Sequence, residues 1–171
     1  GLTEIEAWGK SKLPVVRPPA PTGNIAFNNG QHEYPKVTAS HTSRFDKITA
    51  VNDGRIIYTP TPNNRWTCYE SKQPSDWLEI NFGAEKNVGR VVLHIFDDHG
   101  GVQAPQSYDI EGWDGTAWKR ISDYSNSPDK PSGGVPNSVR FKPVKLERIR
   151  VVFQHRGQAR SGLTEIEVWE Q

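Results

Sequence analysis

The chain has 171 residues, 21 of them basic and 20 acidic. That length sets one well-buried domain as the expectation, and the near balance of charge excludes both a nucleic-acid binder's basic excess and an acidic tail. Six Trp, five Tyr and six Phe within a 34% hydrophobic composition point to sheet cores and stacking platforms rather than long aliphatic helices, and no apolar run reaches the length of a membrane span.

Residues 1–8 read Gly-Leu-Thr-Glu-Ile-Glu-Ala-Trp and recur at 162–169 with one change, Val168 in place of Ala7. The expected organisation is a terminal strand of a preceding domain (1–12), a Pro-rich linker (13–23) that is extended and stiff, and one module (24–171). Residues 24–27 and 36–40 read as short strands around the turn-rich Asn28-Asn29-Gly30. A polar loop follows over 41–50, then a turn at Asn52-Asp53-Gly54. Residues 55–64 hold two prolines and no periodicity, and read as a wandering loop. Residues 77–82 alternate with period two and Gly83 ends them. The most apolar segment, 90–96, is expected as a central strand covered on both faces.

Residues 107–111 form a further strand, and Asp114-Gly115 between Trp113 and Trp118 is a hairpin signal. Residues 125–136 read as an exposed loop. Strands at 138–141 and 148–153 lead to the last strand, 162–169, in which Ile166 and Val168 alternate with Glu165 and Glu167. No segment keeps a 3.6-residue apolar stripe over three turns. The pattern is therefore all-β, a sandwich or barrel. Cys68 is the only cysteine, so it forms no internal disulfide and leaves the compartment open.

The order of landmarks carries a resemblance: Ala39-Ser40, Asn52-Asp53-Gly54, Arg65-Trp66, Trp77-Leu78-Glu79-Ile80-Asn81-Phe82-Gly83, the strand from Val91, Trp113-Asp114-Gly115, Arg148-Ile149-Arg150-Val151 and Leu163-Thr164-Glu165-Ile166-Glu167-Val168. Over residues 24–170 the chain resembles the factor V/factor VIII type C, or discoidin-like, domain, the group that includes carbohydrate-binding module family 32. The resemblance implies an eight-stranded, mostly antiparallel jelly-roll sandwich of the galactose-binding type. It also implies an accessory module on a secreted or cell-surface protein, often a glycoside hydrolase.

By position, the ligand loops that the resemblance implies are residues 41–46, 65–71, 97–105 and 155–161. A sugar site needs a flat aromatic face and short polar groups that fix hydroxyl geometry. Tyr69 is the candidate face, Asp97 and Asp98 the candidate acceptors, and His41, Arg156 and Arg160 the candidate donors. Arg44, Arg156 and Arg160 would also suit a carboxylate or sulfate, which extends the candidate ligand to an anionic glycan. The competing readings are that Trp66, the commonly buried residue type, belongs to the core, and that Asp97 and Asp98 pair with the arginines to hold loops. The family commonly holds a structural calcium through a carboxylate of the Asp-Gly turn and a glutamate of the last strand. Asp53 and Glu165 match those positions, and hard oxygen ligands from distant segments suit Ca²⁺. The plain alternative for Asp53 is an Asx turn. The chain departs from the family after Gly54, where 55–64 replaces a shorter link.

Asp97-Asp98-His99 invites an enzyme reading, and Asp97 with Glu70 a carboxylate pair, but no His-Glu-x-x-His, Gly-x-Ser-x-Gly or phosphate-cradling loop is present. The expected function is a non-catalytic carbohydrate-binding module that targets a larger protein to a glycan. Its alternatives are a protein- or membrane-adhesion module and a structural buttress for a neighbouring domain of the same chain. Membrane-binding loops carry apolar tips, whereas these are mainly His, Arg, Asp and Gly, with Phe45 and Val102 as exceptions.

Overall fold

The computed structural model describes residues 23–171. The expectations for the repeat at 1–8 and the linker at 13–22 lie outside the described residues.

Eight strands follow in order: β1 Lys36–Ala39, β2 Trp66–Thr67, β3 Ser75–Ile95, β4 Ser107–Trp113, β5 Trp118–Arg120, β6 Ser125–Ser127, β7 Pro136–Gln154 and β8 Gly162–Glu170. A 3₁₀ turn at Ile48–Asn52 is the helical element. Every pairing between the named strands is antiparallel. The all-β sandwich that the resemblance implied is present, but two of its strands each run through two of the expected segments.

The segments 77–82 and 90–96 are halves of one strand, β3, and 138–141 and 148–153 are halves of β7. Gly83 does not end β3. It sits at φ +72°, where side-chain-bearing residues are strained, in the register shift between Asn81 and Lys86. The strand therefore bends there and continues. This bend divides the sheet into two layers. The first half of β3 lies between β1 and the second half of β7, with β4 and β5 beyond. Its second half lies between β8 and the first half of β7, with β2 and β6 at the edges.

Alternation turns one face of each layer inward. Leu78, Ile80, Ile149, Val151, Phe153 and Ile110 from the first layer meet Val91, Leu93, Ile95, Val139, Ile166 and Val168 from the second in one core. Each such side chain fully buried stabilises by about 1.5–3 kcal/mol. Trp66 crosses between the layers, fully buried with its ring 5.9 Å from that of Phe153. The core reading of Trp66 holds. Its Nε1 donates to the carbonyl of His41 at 3.0 Å, so this core residue also fixes a candidate binding loop.

Two local expectations change. Residues 24–27 make one bridge, Asn24 to Trp169, rather than a strand. Within 125–136, β6 pairs with β7 through Asn126 and Val139. The segment 55–64, by contrast, gains a structural role. Ile57 N donates to Thr164 Oγ1 at 2.8 Å, and the Tyr58 hydroxyl lies 2.7 Å from His94 Nδ1. The long loop thus covers the outer face of β3 and β8, which is why 91–96 is buried on both sides.

Candidate functional site

The four candidate loops meet because their backbones are laced together. Ser43 N donates to Thr67 O at 2.9 Å and Cys68 N to Ser161 O at 3.0 Å. Gln103 N donates to Arg160 O and Arg160 N to Gly101 O, both at 2.9 Å. These bonds join 41–46 to 65–71, 65–71 to 155–161, and 155–161 to 97–105. Two of the loops run in parallel register through Val102 and Arg160.

The rim is aromatic. Tyr69 is 41% exposed and Phe45 57%, with ring centroids 6.4 Å apart and planes tilted by 47°. Arg44 lies over the Phe45 ring at 4.7 Å and pairs with Glu70 at 3.3 Å, both side chains in solvent. Exposed pairs of this kind contribute little to stability. His41 reaches back from its loop, Nε2 donating to the Tyr69 carbonyl at 3.1 Å. Tyr69 lies against Gly101, where an added Cβ would fall 2.6 Å from the ring's Cε2. Glycine at that position is what lets the ring rest on the neighbouring loop.

Beneath the rim is a recess of about 170 Å³ lined by Ser43, Asp46, Arg65, Thr67, Tyr69 and Asp98, with Phe45, Phe96 and Val102 as apolar walls. Asp46 accepts from Thr67 Oγ1 and lies 3.4 Å from Arg65 Nε, while the Arg65 guanidinium covers the Phe96 ring at 4.4 Å. A second, wider recess of about 510 Å³ adjoins it, sharing Phe45 and Arg65 and adding Lys47, Arg55, Asp53 and Asn64. Sequence reasoning included Asp46, Arg65 and Thr67 in the candidate loops but gave none of them a ligand role. Their polar types were visible, but that β2 and β8 would bring them to one recess was not.

Among the described residues the acidic and basic candidates do not pair with one another, against the competing reading that Asp97 and Asp98 hold the arginines. Asp97 accepts from the backbone N–H groups of His99 at 2.8 Å and Ala104 at 3.0 Å, and lies 3.3 Å from His99 Nδ1. Asp98 Oδ1 accepts from Gly100 at 2.8 Å and Val102 at 3.0 Å, which holds the loop tip in shape. Arg160 donates from Nε to Ser71 O at 2.6 Å and from Nη1 to Gln158 O at 2.9 Å, clamping two loops. Arg156 is exposed and makes no ion pair among the described residues. Val102, expected as an apolar tip, is 4% exposed and points into the wall.

Asp53 and Glu165 do come together. Glu165 is 1% exposed; its Oε1 accepts from Gly54 N at 3.1 Å, and its Oε2 has no hydrogen-bond partner. Burial, with the nearby charges of Asp53 and Glu167 adding to it, pushes its carboxyl up to about 10. Asp53 is raised by burial, against hydrogen bonds from Asn64 and Arg55. The Asx turn expected as the alternative is present, Asp53 Oδ1 accepting from Arg55 N at 3.0 Å. The Asn64 side-chain amide lies 3.3 Å from each of three oxygens: Ala50 O, Asp53 Oδ1 and Arg55 O. Two carboxylates, one with an orphaned buried oxygen, and two inward carbonyls form a hard oxygen donor set of the kind that fits Ca²⁺.

An antiparallel sandwich that gathers a shallow polar recess and exposed aromatic rings on laced loops has the architecture of a ligand-binding module. The chain belongs to the F5/8 type C domain family, whose model matches residues 36–167. Among solved structures it is similar to a chain of the Streptococcus pneumoniae beta-galactosidase BgaA, with 25% identity and TM-score 0.80 over 86% of this chain and 98% of that one. It is also similar to chitosan-binding module 1 of a chitosanase/glucanase from Paenibacillus sp. IK-5, with 24% identity, TM-score 0.62, and 85% and 98% of the two chains covered. A third is the family 32 carbohydrate-binding module of C. perfringens NanJ in complex with galactose, at 17% identity and TM-score 0.62 over 79% and 93%.

Proposed function

We propose that this chain is a non-catalytic carbohydrate-binding module that holds a larger protein, of the glycoside-hydrolase kind, at a glycan outside the cell or on its surface. The observation that carries this reading is the half-exposed Tyr69 ring standing over a recess lined by Ser43, Thr67, Asp98 and Arg65. Such a ring offers an apolar face to the C–H side of a sugar, and the short polar groups beneath it suit hydroxyls. The likeness to modules described as chitosan-binding and as bound to galactose supports the same reading. Catalysis is disfavoured because the recess is small and open, so it does not enclose a substrate and exclude water.

Lys47, Arg55 and Arg65 line the adjoining recess, and Arg156 is exposed on one of the candidate loops with no ion pair among the described residues, so the preferred ligand carries a carboxylate or sulfate. Calcium is proposed at Asp53 and Glu165, with the Ala50 and Arg55 carbonyls as neighbours. Its part would be to take the place of the proton on the buried Glu165 carboxyl and pin the long 55–64 loop to β8.

The test is an array of neutral, uronic and sulfated glycans probed with the protein in calcium. A hit with Kd on the order of 0.1–1 mM, about −5.5 to −4 kcal/mol, is expected, with loss in Tyr69→Ala. A blank array from a folded protein would reject the glycan reading. Binding instead to anionic vesicles through Phe45, the most exposed aromatic residue among the described ones, would favour membrane adhesion.

A further inference from the structure

Below the loops, and used by none of the groups above, Cys68 Sγ, Asp76 Oδ2 and His155 Nε2 converge, the three atoms all within 4.8 Å of one another. All three residues are more than nine-tenths buried. We propose that they form a transition-metal site fitted to zinc, distinct in place and chemistry from the all-oxygen calcium site.

The distances fit. Tetrahedral zinc with bonds of about 2.0–2.3 Å sets S···N near 3.5 Å and N···O near 3.3 Å. Here Cys68 Sγ lies 3.8 Å and Asp76 Oδ2 2.9 Å from His155 Nε2. Both separations lie within a few tenths of an ångström of those values, and the remaining one, Sγ to Oδ2, lies within 4.8 Å and closes by side-chain torsion.

The outer partners fit as well. A zinc-bound imidazole has its other nitrogen held by a hydrogen-bond partner, and a bound carboxylate has its second oxygen held. His155 Nδ1 lies 3.0 Å from Ser161 Oγ, and Asp76 Oδ1 accepts from Ser40 Oγ at 2.6 Å. Ser40 is itself fixed by accepting from Trp77 N at 2.9 Å. Thiolate, imidazole and one carboxylate form a borderline-soft donor set, which selects zinc over calcium or magnesium.

Without metal the same atoms satisfy one another. Cys68 Sγ–H donates to the Ser161 carbonyl at 3.1 Å and His155 pairs with Asp76. Uptake of the ion moves the imidazole proton to Nδ1, toward Ser161, and releases the Cys68 thiol proton to the buffer. Zinc bonds to Sγ, Nε2 and Oδ2 replace three of its water ligands, a fourth water stays bound, the S–H and Nε2–H bonds are the ones broken, and no redox change occurs. The consequence is a tie between 65–71, the start of β3 and 155–161, three segments that carry the glycan-facing loops.

Cobalt is the probe. The reduced, chelator-stripped chain is titrated with Co²⁺ while near-ultraviolet and visible absorption is followed, then challenged with Zn²⁺. One equivalent should give a thiolate-to-cobalt charge-transfer band with tetrahedral visible bands, and zinc should abolish both and raise Tm. Cys68→Ala keeps the His155–Asp76 pair and should fold with a Tm somewhat below that of the metal-free native chain, since it loses the bond to Ser161 O. It should nevertheless lose the band and show no rise in Tm with zinc. Ser40→Ala, which frees the far carboxylate oxygen, should weaken zinc about 10- to 100-fold. A folded protein with no thiolate band overturns the proposal. So does cobalt bound without that band, or a band undiminished in Cys68→Ala.

Discussion

Tyr69 is exposed because its ring leans on Gly101 rather than entering the core, and two substitutions separate contact from position. Tyr69→Ala removes the stacking face and should cost about tenfold in glycan affinity, about 1.4 kcal/mol, without changing Tm. Gly101→Ala keeps the ring but forces it aside, since the new Cβ would meet Cε2 at 2.6 Å; isothermal titration should find binding reduced with the fold intact. If Gly101→Ala binds like the native protein, the ring's placement is not what the glycan reads. Glu165 behaves differently. Its buried carboxyl is held neutral by desolvation at ordinary pH, so Glu165→Gln, which keeps an acceptor for Gly54 N, should leave Tm nearly unchanged in chelator. In calcium the native protein should gain Tm and the variant should not; an equal gain in both would remove Glu165 from the ligand set. Tyr69 was legible as a candidate from its residue type within a loop the resemblance marked, and Asp53 and Glu165 from the resemblance alone. The fate of Arg160 was not, because a guanidinium that donates to carbonyls looks the same in sequence as one that binds an anion.

At the scale of elements, the β4–β5 hairpin has a titratable lock. Asp114 accepts from Thr116 N and Ala117 N, both at 2.8 Å, and these bonds pull its carboxyl down to about 2 from an ordinary 3.8. A lowered folded value means that the stabilisation is complete above pH 4 and is lost as pH falls from about 4 to about 2. Carboxyl chemical shifts should place the Asp114 midpoint near 2, and in Asp114→Ala the amides of Thr116 and Ala117 should exchange faster. A midpoint near 4 would mean that the turn does not depend on the ionised side chain. This hairpin was legible because Asp-Gly between two tryptophans encodes a turn locally. The length of β3 was not, since Gly83 reads as a terminator when the strand that pairs across the bend, β7, lies some sixty residues further on. Alternation revealed which residues face the core; long-range register decided how many strands they make.

At the scale of the whole molecule, the two recesses adjoin, and one of the proposed calcium ligands, Asp53, lines the wider of them. Asp53 and Asn64 line the wider recess, which shares Phe45 and Arg65 with the recess under Tyr69. Asn64 donates toward Asp53 and the Ala50 and Arg55 carbonyls and is followed directly by Arg65, whose side chain packs on Phe96 and pairs with Asp46. An ion that draws those oxygens together also fixes the backbone from which Arg65 projects. Calcium should therefore raise glycan affinity by roughly fivefold or more, and by linkage the glycan should raise calcium affinity by the same factor. Titrations of glycan in calcium and in chelator, and of calcium with and without saturating glycan, measure both sides of that cycle. Equal glycan affinities in the two buffers, with calcium still raising Tm, would mean that the ion stabilises the sandwich without shaping the site. Arg65→Lys gives the matching control: it keeps a positive charge but loses the planar contact with Phe96. Coupling carried by this side chain should shrink in the variant while the calcium shift in Tm persists.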